Sequence, residues 1–369
     1  MKLCQATLKE SSNSRQTVFV ELKDANKYLK KPDLESNKYS RGVLGVITGS
    51  NEYPGAAILT TSAASKSNIG MVRYAGALRA QNLVLQASPE IVVSQKLQGK
   101  VNAITLGSGI PDSKHCKDNE TKKQRDYISE ILKLYSINRK DENKTNTNNL
   151  ENVLQQNTPP ICVDAGALDL LPEKVSSKVI LTPHYSELSS LLKRYEIYAS
   201  AQLIATNPIY YAILAANLTN ATVLLKGSNT IVASPENLNL PIYISNYGPS
   251  WLATAGSGDV LAGILGALLA QNYSNQSDDS KNEDIQHEKI QKEKIQKENE
   301  LNYALIASSA ATIHSFASIL ASHKTQNYNY NNEIKKILNT KEDLIIEHPI
   351  VAKDIIEALE QAIGLIMKL

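Results

Sequence analysis

The chain has 369 residues, of which 42% are hydrophobic, and a formal net charge of +2. Its length suits one large α/β domain or two smaller ones, and its apolar fraction can form a sizeable core. The near-balanced charge gives no reason to expect binding to nucleic acid or to a membrane surface. The three scattered cysteines, Cys4, Cys116 and Cys162, lack metal-binding spacing and fit a reduced, cytoplasmic setting better than a disulfide framework.

The beginning of the chain is polar and weakly patterned. It has no apolar signal-peptide core, and no uninterrupted apolar run along the chain reaches the length of a membrane span. We expect residues 1–37 to form a leader segment, with one short helix over 22–29, and residues 38–369 to form a single domain.

Short apolar segments then alternate with helical patterns. The predicted strands are 41–50, 71–74, 83–86, 101–109, 160–164, 178–181 and 221–225, with 230–233 as a hairpin partner, and the predicted helices include 55–70, 303–322 and 351–369. Strand, loop and helix in repetition predict a mostly parallel sheet with helices on both faces, a three-layer α/β/α fold. Ligands of such sheets bind beyond the carboxyl ends of the strands.

Two polar stretches interrupt this pattern, near 112–158 and near 272–300. The first contains a possible helix over 122–134 and then an Asn- and Lys-rich run, and the second repeats the unit EKIQK. Both are too polar to join a core, so we interpret them as surface insertions without catalytic residues. The repeat forms either an exposed helix stabilised by Glu/Lys pairs or a solvated segment.

The most informative segment is 251–270, with the sequence WLATAGSGDVLAGILGALLA. Gly256 and Gly258 let backbone N–H groups converge, and a helix that begins near Asp259 adds its positive end, which predicts an anion site for phosphate. Asp259 is either a helix cap, the commoner role for a lone Asp in this position, or a catalytic base. A helix N-terminus lowers the pKa of a carboxyl group, so we expect Asp259 to be ionised at neutral pH.

Other candidate residues follow predicted strands. Lys226 ends one strand and could contact phosphate as a point charge. His184 lies just past another, where an isolated His is more often structural than catalytic. Glu187 either complements the next helix N-terminus or holds Mg²⁺, through water. Asp164 either faces the same cleft or caps the helix after it.

Taken together, the segments GSNEYPGAAILTTSAA, TLGSG, VDAGALDLL, VILTPHYSE, TVLLKGSNTIVASP and ATAGSGDVLAGILGALLAQ resemble one family closely. They are similar to the ADP-dependent NAD(P)H-hydrate dehydratases of the ribokinase-like superfamily. The resemblance runs from about Lys38 to the C-terminus, without the two insertions. It implies a ribokinase-like fold, ADP as cosubstrate, Mg²⁺ as cofactor and a homotetramer.

The resemblance also implies roles for individual residues. Asp259 would face the reacting group of the substrate and act as the catalytic base. The other residues expected to bind the hydrated nicotinamide nucleotide are Ala56, Gly109 and His184. The residues expected to bind ADP are Lys226, Gly227, Ser228, Asn229, Thr230, Gly256, Ser257 and Gly258.

The chain departs from the family pattern at several positions. Ser257 stands where the family often has Thr, which keeps a hydroxyl group. The family often has Gly-Pro-Gly where this chain has Gly107, Ser108 and Gly109, so both glycines remain but a rigid residue is lost. Relatives commonly have His-Lys-Gly before the first strand, and the residues 39–42 (Tyr-Ser-Arg-Gly) replace it here. Many relatives carry a fused epimerase domain, for which about forty preceding residues are too few, so we expect epimerisation on a separate chain.

The implied reaction is the ADP-dependent dehydration of (S)-NADHX or (S)-NADPHX to NADH or NADPH, with release of AMP and phosphate. An alternative is an ATP-dependent kinase of a small vitamin precursor, of the hydroxymethylpyrimidine or hydroxyethylthiazole type, which shares the glycine–Asp loop. A second alternative is a nucleotide-binding regulator without catalysis, against which the presence of Asp259 and His184 argues.

Overall fold

The computed structural model describes residues 15–137, 158–278, 301–323 and 347–369. A ten-stranded sheet runs through this part of the chain in the order β1-β10-β9-β8-β7-β6-β5-β2-β3-β4. The strands are β1 Thr17–Phe19, β2 Val43–Ile47, β3 Met71–Ala75, β4 Val92–Ser94, β5 Ala103–Leu106, β6 Ile161–Val163, β7 Val179–Leu181, β8 Thr222–Leu225, β9 Thr230–Ala233 and β10 Ile242–Ser245. The sheet is parallel except at β9, which pairs antiparallel with both of its neighbours.

Helices cover both faces of the sheet. The α-helices are α1 Leu22–Asn26, α2 Gly55–Ser65, α3 Leu78–Ala87, α4 Asn119–Lys133, α5 Tyr185–Lys193, α6 Ala201–Thr206, α7 Pro208–Thr219, α8 Ser257–Asp278, α9 Tyr303–Ser322 and α10 Ala352–Ile366. One apolar core lies between the sheet and α2, α3, α8, α9 and α10, and a second lies between the sheet and α4 to α7. The three-layer α/β/α fold predicted from the sequence is confirmed.

Burial on both faces explains why the central strands consist of continuous apolar residues. All five residues of β2 are buried, as are all residues of β5, β6, β7 and β8. Alternate residues point to opposite cores, so Cys162 contributes to one core and Val163 to the other. A parallel sheet covered on both faces has this composition.

Most predicted elements are present at nearly the predicted positions, but three predictions were wrong. Residues 83–86 belong to α3, because the buried Ala80 and Val84 place one face of that helix on the core. The leader is partly built into the fold, since β1 pairs with β10. The stretch 112–158 is not wholly an insertion, because α4 buries Ile128 and Leu132 in the core. The residues 138–157 and 279–300, including the EKIQK repeat, lie outside the described part of the chain.

Helix α9 is apolar and long enough to cross a membrane by length and composition, with a mean hydropathy of 1.5. Ser, Thr and His residues interrupt its apolar sequence, so the expectation that no uninterrupted apolar run reaches that length stands. Moreover, 78% of its apolar window is buried inside the fold, where it packs against α8 and α10. In this structure it is a core helix.

The parallel strands β5 to β8 place their carboxyl ends along one edge of the sheet. The turn after β5 depends on Gly107, whose φ of +108° is unfavourable for residues with a side chain. A methyl group on Gly107 would lie 2.0 Å from the carbonyl oxygen of Asp164, at the end of the neighbouring strand. The two loops can approach this closely only with glycine at this position.

We predict that Gly107→Ala lowers the free energy of unfolding by about 2–5 kcal/mol, because it adds backbone strain and a steric clash. Gly364→Ala is the matched control. Gly364 lies within α10 with open space around it, so alanine there should raise the stability by about 0.5–1 kcal/mol. Urea denaturation of both variants measures the difference. An unchanged midpoint for Gly107→Ala would contradict the close approach of the two loops.

Candidate active site

An ion pair connects the carboxyl ends of two strands of the sheet. Asp164 follows β6 and Lys226 follows β8, and Lys226 Nζ lies 2.8 Å from Asp164 Oδ1. The hydroxyl of Thr182, after β7, donates to the same oxygen at 2.8 Å, and the hydroxyl of Ser108, after β5, donates to Oδ2 at 2.7 Å. Loops from four adjacent strands therefore meet at one buried carboxylate.

The pair is charged although it is buried. Burial opposes ionisation of Asp164, but the adjacent Lys226 and the hydroxyl donors hold its pKa below the ordinary value. Burial also opposes the charge on Lys226, but Asp164 and then Glu187 raise its pKa. The side chain of Asp164 does not cap the short 3₁₀-helix that follows it, which settles the alternative left open by the sequence.

His184 and Glu187 form a reciprocal cap at the start of α5. The Nδ1 atom of His184 accepts hydrogen bonds from the backbone of Ser186 and Glu187, and Glu187 Oε2 accepts one from the backbone of His184 at 2.8 Å. His184 therefore has the structural role, and Glu187 the role at the helix N-terminus, that the sequence offered as one interpretation of each. The imidazole is nevertheless exposed, and its Nε2 lies 3.5 Å from Glu187 Oε1.

Glu187 also lies near the ion pair, with Oε2 at 3.9 Å from Lys226 Nζ. Burial and the negative charge of Asp164 raise the pKa of Glu187, and Lys226 opposes this. Within the described residues, no group of three or more His, Cys, Asp or Glu side chains is arranged to hold a metal ion. A cation bound mainly by nucleotide phosphates needs only one or two carboxylates, and Glu187 is placed to provide one of them.

The predicted glycine turn lies beside Lys226. A methyl group on Gly258 would lie 3.5 Å from Lys226 Nζ, and Gly256 has a φ of +83°. Around the start of α8, the amides of Ser257 and Val260 donate to preceding carbonyls, whereas those of Gly258 and Asp259 have no backbone acceptor in the described chain. Two free amides, the positive helix end and an ammonium group thus converge, as an anion site requires.

Asp259 differs from its expected ionisation state. Burial and the negative charge of Asp164 raise its pKa to about 7, although Lys226 opposes this shift. The sequence led us to expect full ionisation at neutral pH, so that prediction was wrong. The reason is that the nearby ion pair and the surrounding protein outweigh the helix end. No hydrogen-bond donor from the described residues reaches the carboxylate of Asp259, which is half-buried.

Ser257 connects the turn to helix α9. Its hydroxyl lies 3.4 Å from Nε2 of His314, a buried residue whose pKa burial lowers to about 4. His314 is therefore neutral at physiological pH. The sequence placed His314 on a helix but gave no indication of this contact.

The residues expected to bind the second substrate form a neighbouring cluster. Gly109, with a φ of +68°, approaches Ala56 so closely that a methyl group on Gly109 would lie 2.4 Å from the Ala56 Cβ. The same methyl group would be 3.2 Å from Gly49. Ala56, at the start of α2, and Gly109, in the loop after β5, therefore lie against each other.

The β8–β9 hairpin carries the remaining predicted residues. Gly227, Ser228 and Asn229 are exposed at its tip, and Thr230 begins β9. A methyl group on Gly227 would meet the phenolic end of the Tyr185 side chain, so the hairpin packs on the start of α5 here. The tip is open for a ligand.

The structure brings the predicted residues together along one sheet edge, with the hairpin on one side and Ala56 and Gly109 on the other. Sequence reasoning missed the hydroxyl groups of Ser108 and Thr182 as partners of Asp164. Ser108 and Asp164 lie at the ends of predicted strands and Thr182 follows one, which is the only signal that the sequence offers for their proximity.

Comparison with known proteins gives a consistent result. Residues 44–338 match the family model for carbohydrate kinase-related proteins, described as NAD(P)H-hydrate dehydratase. The chain is 35% identical over 259 residues to the bifunctional NAD(P)H-hydrate repair enzyme Nnr of Mycobacterium leprae, covering 67% of this chain and 45% of that protein. It is 31% identical over 253 residues to the ADP-dependent (S)-NAD(P)H-hydrate dehydratase of Neisseria meningitidis, covering 64% of this chain and 72% of that protein.

Solved structures support the fold. The crystal structure of the ADP/ATP-dependent NAD(P)H-hydrate dehydratase of Bacillus subtilis, co-crystallised with ATP and Mg²⁺, matches with a TM-score of 0.61 and 19% identity, covering 96% of this chain and 99% of that one. A ribokinase-like superfamily protein of Enterococcus faecalis matches with a TM-score of 0.60 and 16% identity, covering 96% and 97%. The fold is therefore ribokinase-like.

We predict that Asp164→Asn and Lys226→Met each destabilise the protein by about 3–5 kcal/mol, because each leaves one buried charge without its partner. The double variant should lose clearly less than the sum. Urea denaturation of all four proteins gives the coupling energy. Lys27→Met is the control, since the Lys27 side chain is 63% exposed and its loss should change stability by less than about 1 kcal/mol. Additive effects of Asp164→Asn and Lys226→Met would contradict the buried ion pair.

Proposed function

Because the chain belongs to the NAD(P)H-hydrate dehydratase family, we propose that it dehydrates (S)-NADHX or (S)-NADPHX with consumption of ADP. The chain spans less than half the length of the M. leprae relative, so the activity is inferred from the matched region and the site. One observation carries the proposal: the unpartnered Asp259, with its pKa near 7, lies next to two free amides and the ammonium group of Lys226.

The anion site orients the phosphates of ADP. The free amides of Gly258 and Asp259 donate to the β-phosphoryl group, and Lys226 neutralises its charge. The exposed hairpin tip of residues 227–230 holds the adenylate portion. The ammonium group of Lys226 moves partly away from Asp164 to reach the phosphate. Its positive charge then stabilises the phosphoryl group during transfer.

The reaction needs a base because a hydroxyl group is a poor leaving group. Asp259 takes the proton from the C6 hydroxyl of the hydrated nicotinamide as that oxygen attacks the β-phosphorus of ADP. A P–O bond forms, the bond to the bridging oxygen breaks, and AMP leaves. The C6–O bond then breaks and a proton passes from C5 to the departing phosphate, which restores the ring double bond of the dihydronicotinamide.

The second substrate binds where Ala56 and Gly109 meet, with His184 at the edge of the cleft. Gly49 and Gly109 let their loops pack closely against the start of α2, because a methyl group on either would clash with Ala57 or Ala56. The exposed Nε2 of His184 is free to donate a hydrogen bond to that ligand, while Nδ1 stays in the helix cap.

Mg²⁺ bound to the nucleotide would shield the phosphate charges during transfer. Glu187 would hold it, through water, because its carboxylate is half-buried next to Lys226 and the anion site. We also propose a cytoplasmic homotetramer. The M. leprae relative is named as bifunctional, and we propose that epimerisation requires a separate protein or a region outside the matched residues.

We predict that Asp259→Asn keeps the fold and lowers turnover of hydrated NADH with ADP by about 10²–10⁴-fold, because the base is lost. The restored absorbance of NADH measures turnover, with ADP and ATP assayed side by side. Asp126→Asn, an exposed position on α4, is the control and should keep full activity. Near-normal turnover by Asp259→Asn would exclude Asp259 as the base. Phosphoryl transfer from ATP to a vitamin precursor by the unchanged protein, without dehydration, would favour the kinase alternative.

We predict that kcat/KM for hydrated NADH rises with pH to a plateau, with an apparent pKa near 7. The value of kcat/KM rises with pH because Asp259 must be ionised to accept a proton. Burial raises the pKa of its carboxyl group to about 7, so the group is mostly protonated at lower pH. Steady-state rates between pH 5.5 and pH 9 would be fitted, with those limits chosen as roughly two units on each side of the transition. A flat profile across neutral pH would contradict this assignment.

A further inference from the structure

His314 is a buried side chain of α9 to which the proposed reaction assigns no role. Only 6% of it is exposed, and its Nε2 atom lies 3.4 Å from the hydroxyl of Ser257, at the start of α8. Burial lowers the pKa of the imidazole to about 4, and the positive charge of Lys226 lowers it too. The neutral ring therefore lies within the electrostatic reach of the anion site without adding a charge to it.

The contact between His314 and Ser257 includes the backbone of Ser257 as well as its hydroxyl. That backbone raises the pKa of the imidazole, against the effect of burial. A backbone group that favours the protonated form of a ring is a hydrogen-bond acceptor, so an N–H group of the imidazole faces the carbonyl oxygen of Ser257. One side chain of α9 thus contacts two polar groups of the residue at which α8 begins.

Ser257 is the residue with a side chain between the two glycines of the turn, Gly256 and Gly258. Glycine on each side gives the backbone wide conformational freedom, which the φ of +83° at Gly256 uses. The local hydrogen bonds are at or beyond the upper end of the ordinary distance range, with 3.4 Å from the amide of Ser257 to the carbonyl oxygen of Thr254 and 3.2 Å from Val260 to Gly256. Within the turn, Ser257 therefore offers the side chain through which the rest of the protein can fix the backbone.

The segment that leads into the turn rests on the same part of α9. Gly248, with a φ of +110°, lies so close to this helix that a methyl group on it would be 3.2 Å from Ser315 Cβ. The short 3₁₀-helix Ser250–Leu252 also packs against α9. Two consecutive residues of α9, His314 and Ser315, thus contact the two ends of the segment 248–257. The contact made by His314 is at the end that leads into α8.

We propose that His314 is a positioning residue, which holds the glycine turn through Ser257 so that the free amides at the start of α8 point at the phosphates of ADP; this inference rests on the proposed function. The imidazole touches neither ligand and takes no part in proton transfer. Because the ring is neutral, it fixes the turn without competing with Lys226 for the negative charge of the phosphates. A displacement of reacting groups by about 1 Å can lower a rate about a hundredfold, so a contact next to the amides affects turnover.

Steady-state kinetics with ADP and hydrated NADH test the proposal. His314→Leu removes the polar contacts and keeps a buried apolar side chain. We expect it to lower kcat/KM for ADP about 10–100-fold, while KM for hydrated NADH stays nearly unchanged. His314→Gln keeps an N–H group that can reach Ser257 and should recover most of the loss. Ser308→Ala is the control and should keep full activity, because the buried hydroxyl of Ser308 donates to Ala304 within α9.

A double-variant cycle shows whether His314 acts through Ser257. Ser257→Ala removes one of the two contacts, so His314→Leu should cost clearly less in that background than in the unchanged protein. A merely structural role predicts a lower urea midpoint with unchanged kcat/KM, or parallel changes for both substrates. Either result would overturn the proposal, as would equal losses in His314→Leu and His314→Gln or additive effects of His314→Leu and Ser257→Ala.

If His314→Leu does not fold, His314→Asn takes its place with the same expected outcomes, because the shorter amide does not reach Ser257. If the unchanged protein turned over no hydrate, the proposed function would fail. The role of His314 would then be tested separately by calorimetric titration with ADP and Mg²⁺. Binding about tenfold weaker in His314→Leu and restored in His314→Gln would support it, and equal affinities in all three proteins would reject it.

Discussion

The buried ion pair between Asp164 and Lys226 is the interaction on which the rest of the site depends. Its carboxylate collects donors from the loops after β5, β7 and β8, and so fixes their relative positions. The same pair also acts on Asp259: burial raises the pKa of that carboxyl group most, the negative charge of Asp164 raises it further, and Lys226 lowers it.

The topology of the sheet explains how two ligands can meet at one carboxylate. Parallel strands place their carboxyl ends on one edge, and the strand order puts the hairpin and the Ala56–Gly109 position on opposite sides of Asp164. Between them, the start of α8 presents two amides without intramolecular acceptors. A preorganised set of donors of this kind stabilises a transferring phosphoryl group without reorganisation during the reaction.

Sequence patterns predicted the elements that can be identified from their own residues. They missed the elements that depend on contacts with segments distant in the sequence. The apolar strands and the glycine turn before α8 were predictable because their residues are buried or conformationally special. The strands β1, β4 and β10 were not, and β1 becomes a strand only by pairing with β10. Helix α4 looked like part of a polar insertion, since seven of its 15 residues are charged and only one face is buried. Ser108 looked like the loss of a rigid residue, yet its hydroxyl donates to Asp164 from a different strand.

The central claim is that phosphate groups bind between the amides of Gly258 and Asp259 and the ammonium group of Lys226. A crystal structure with ADP and Mg²⁺ bound tests it most directly. The account predicts that oxygens of the β-phosphoryl group lie within hydrogen-bond distance of both amides, with Lys226 Nζ turned towards them and the adenylate on the β8–β9 hairpin. A nucleotide whose phosphates lie away from the start of α8, with the ion pair to Asp164 unchanged, would contradict it.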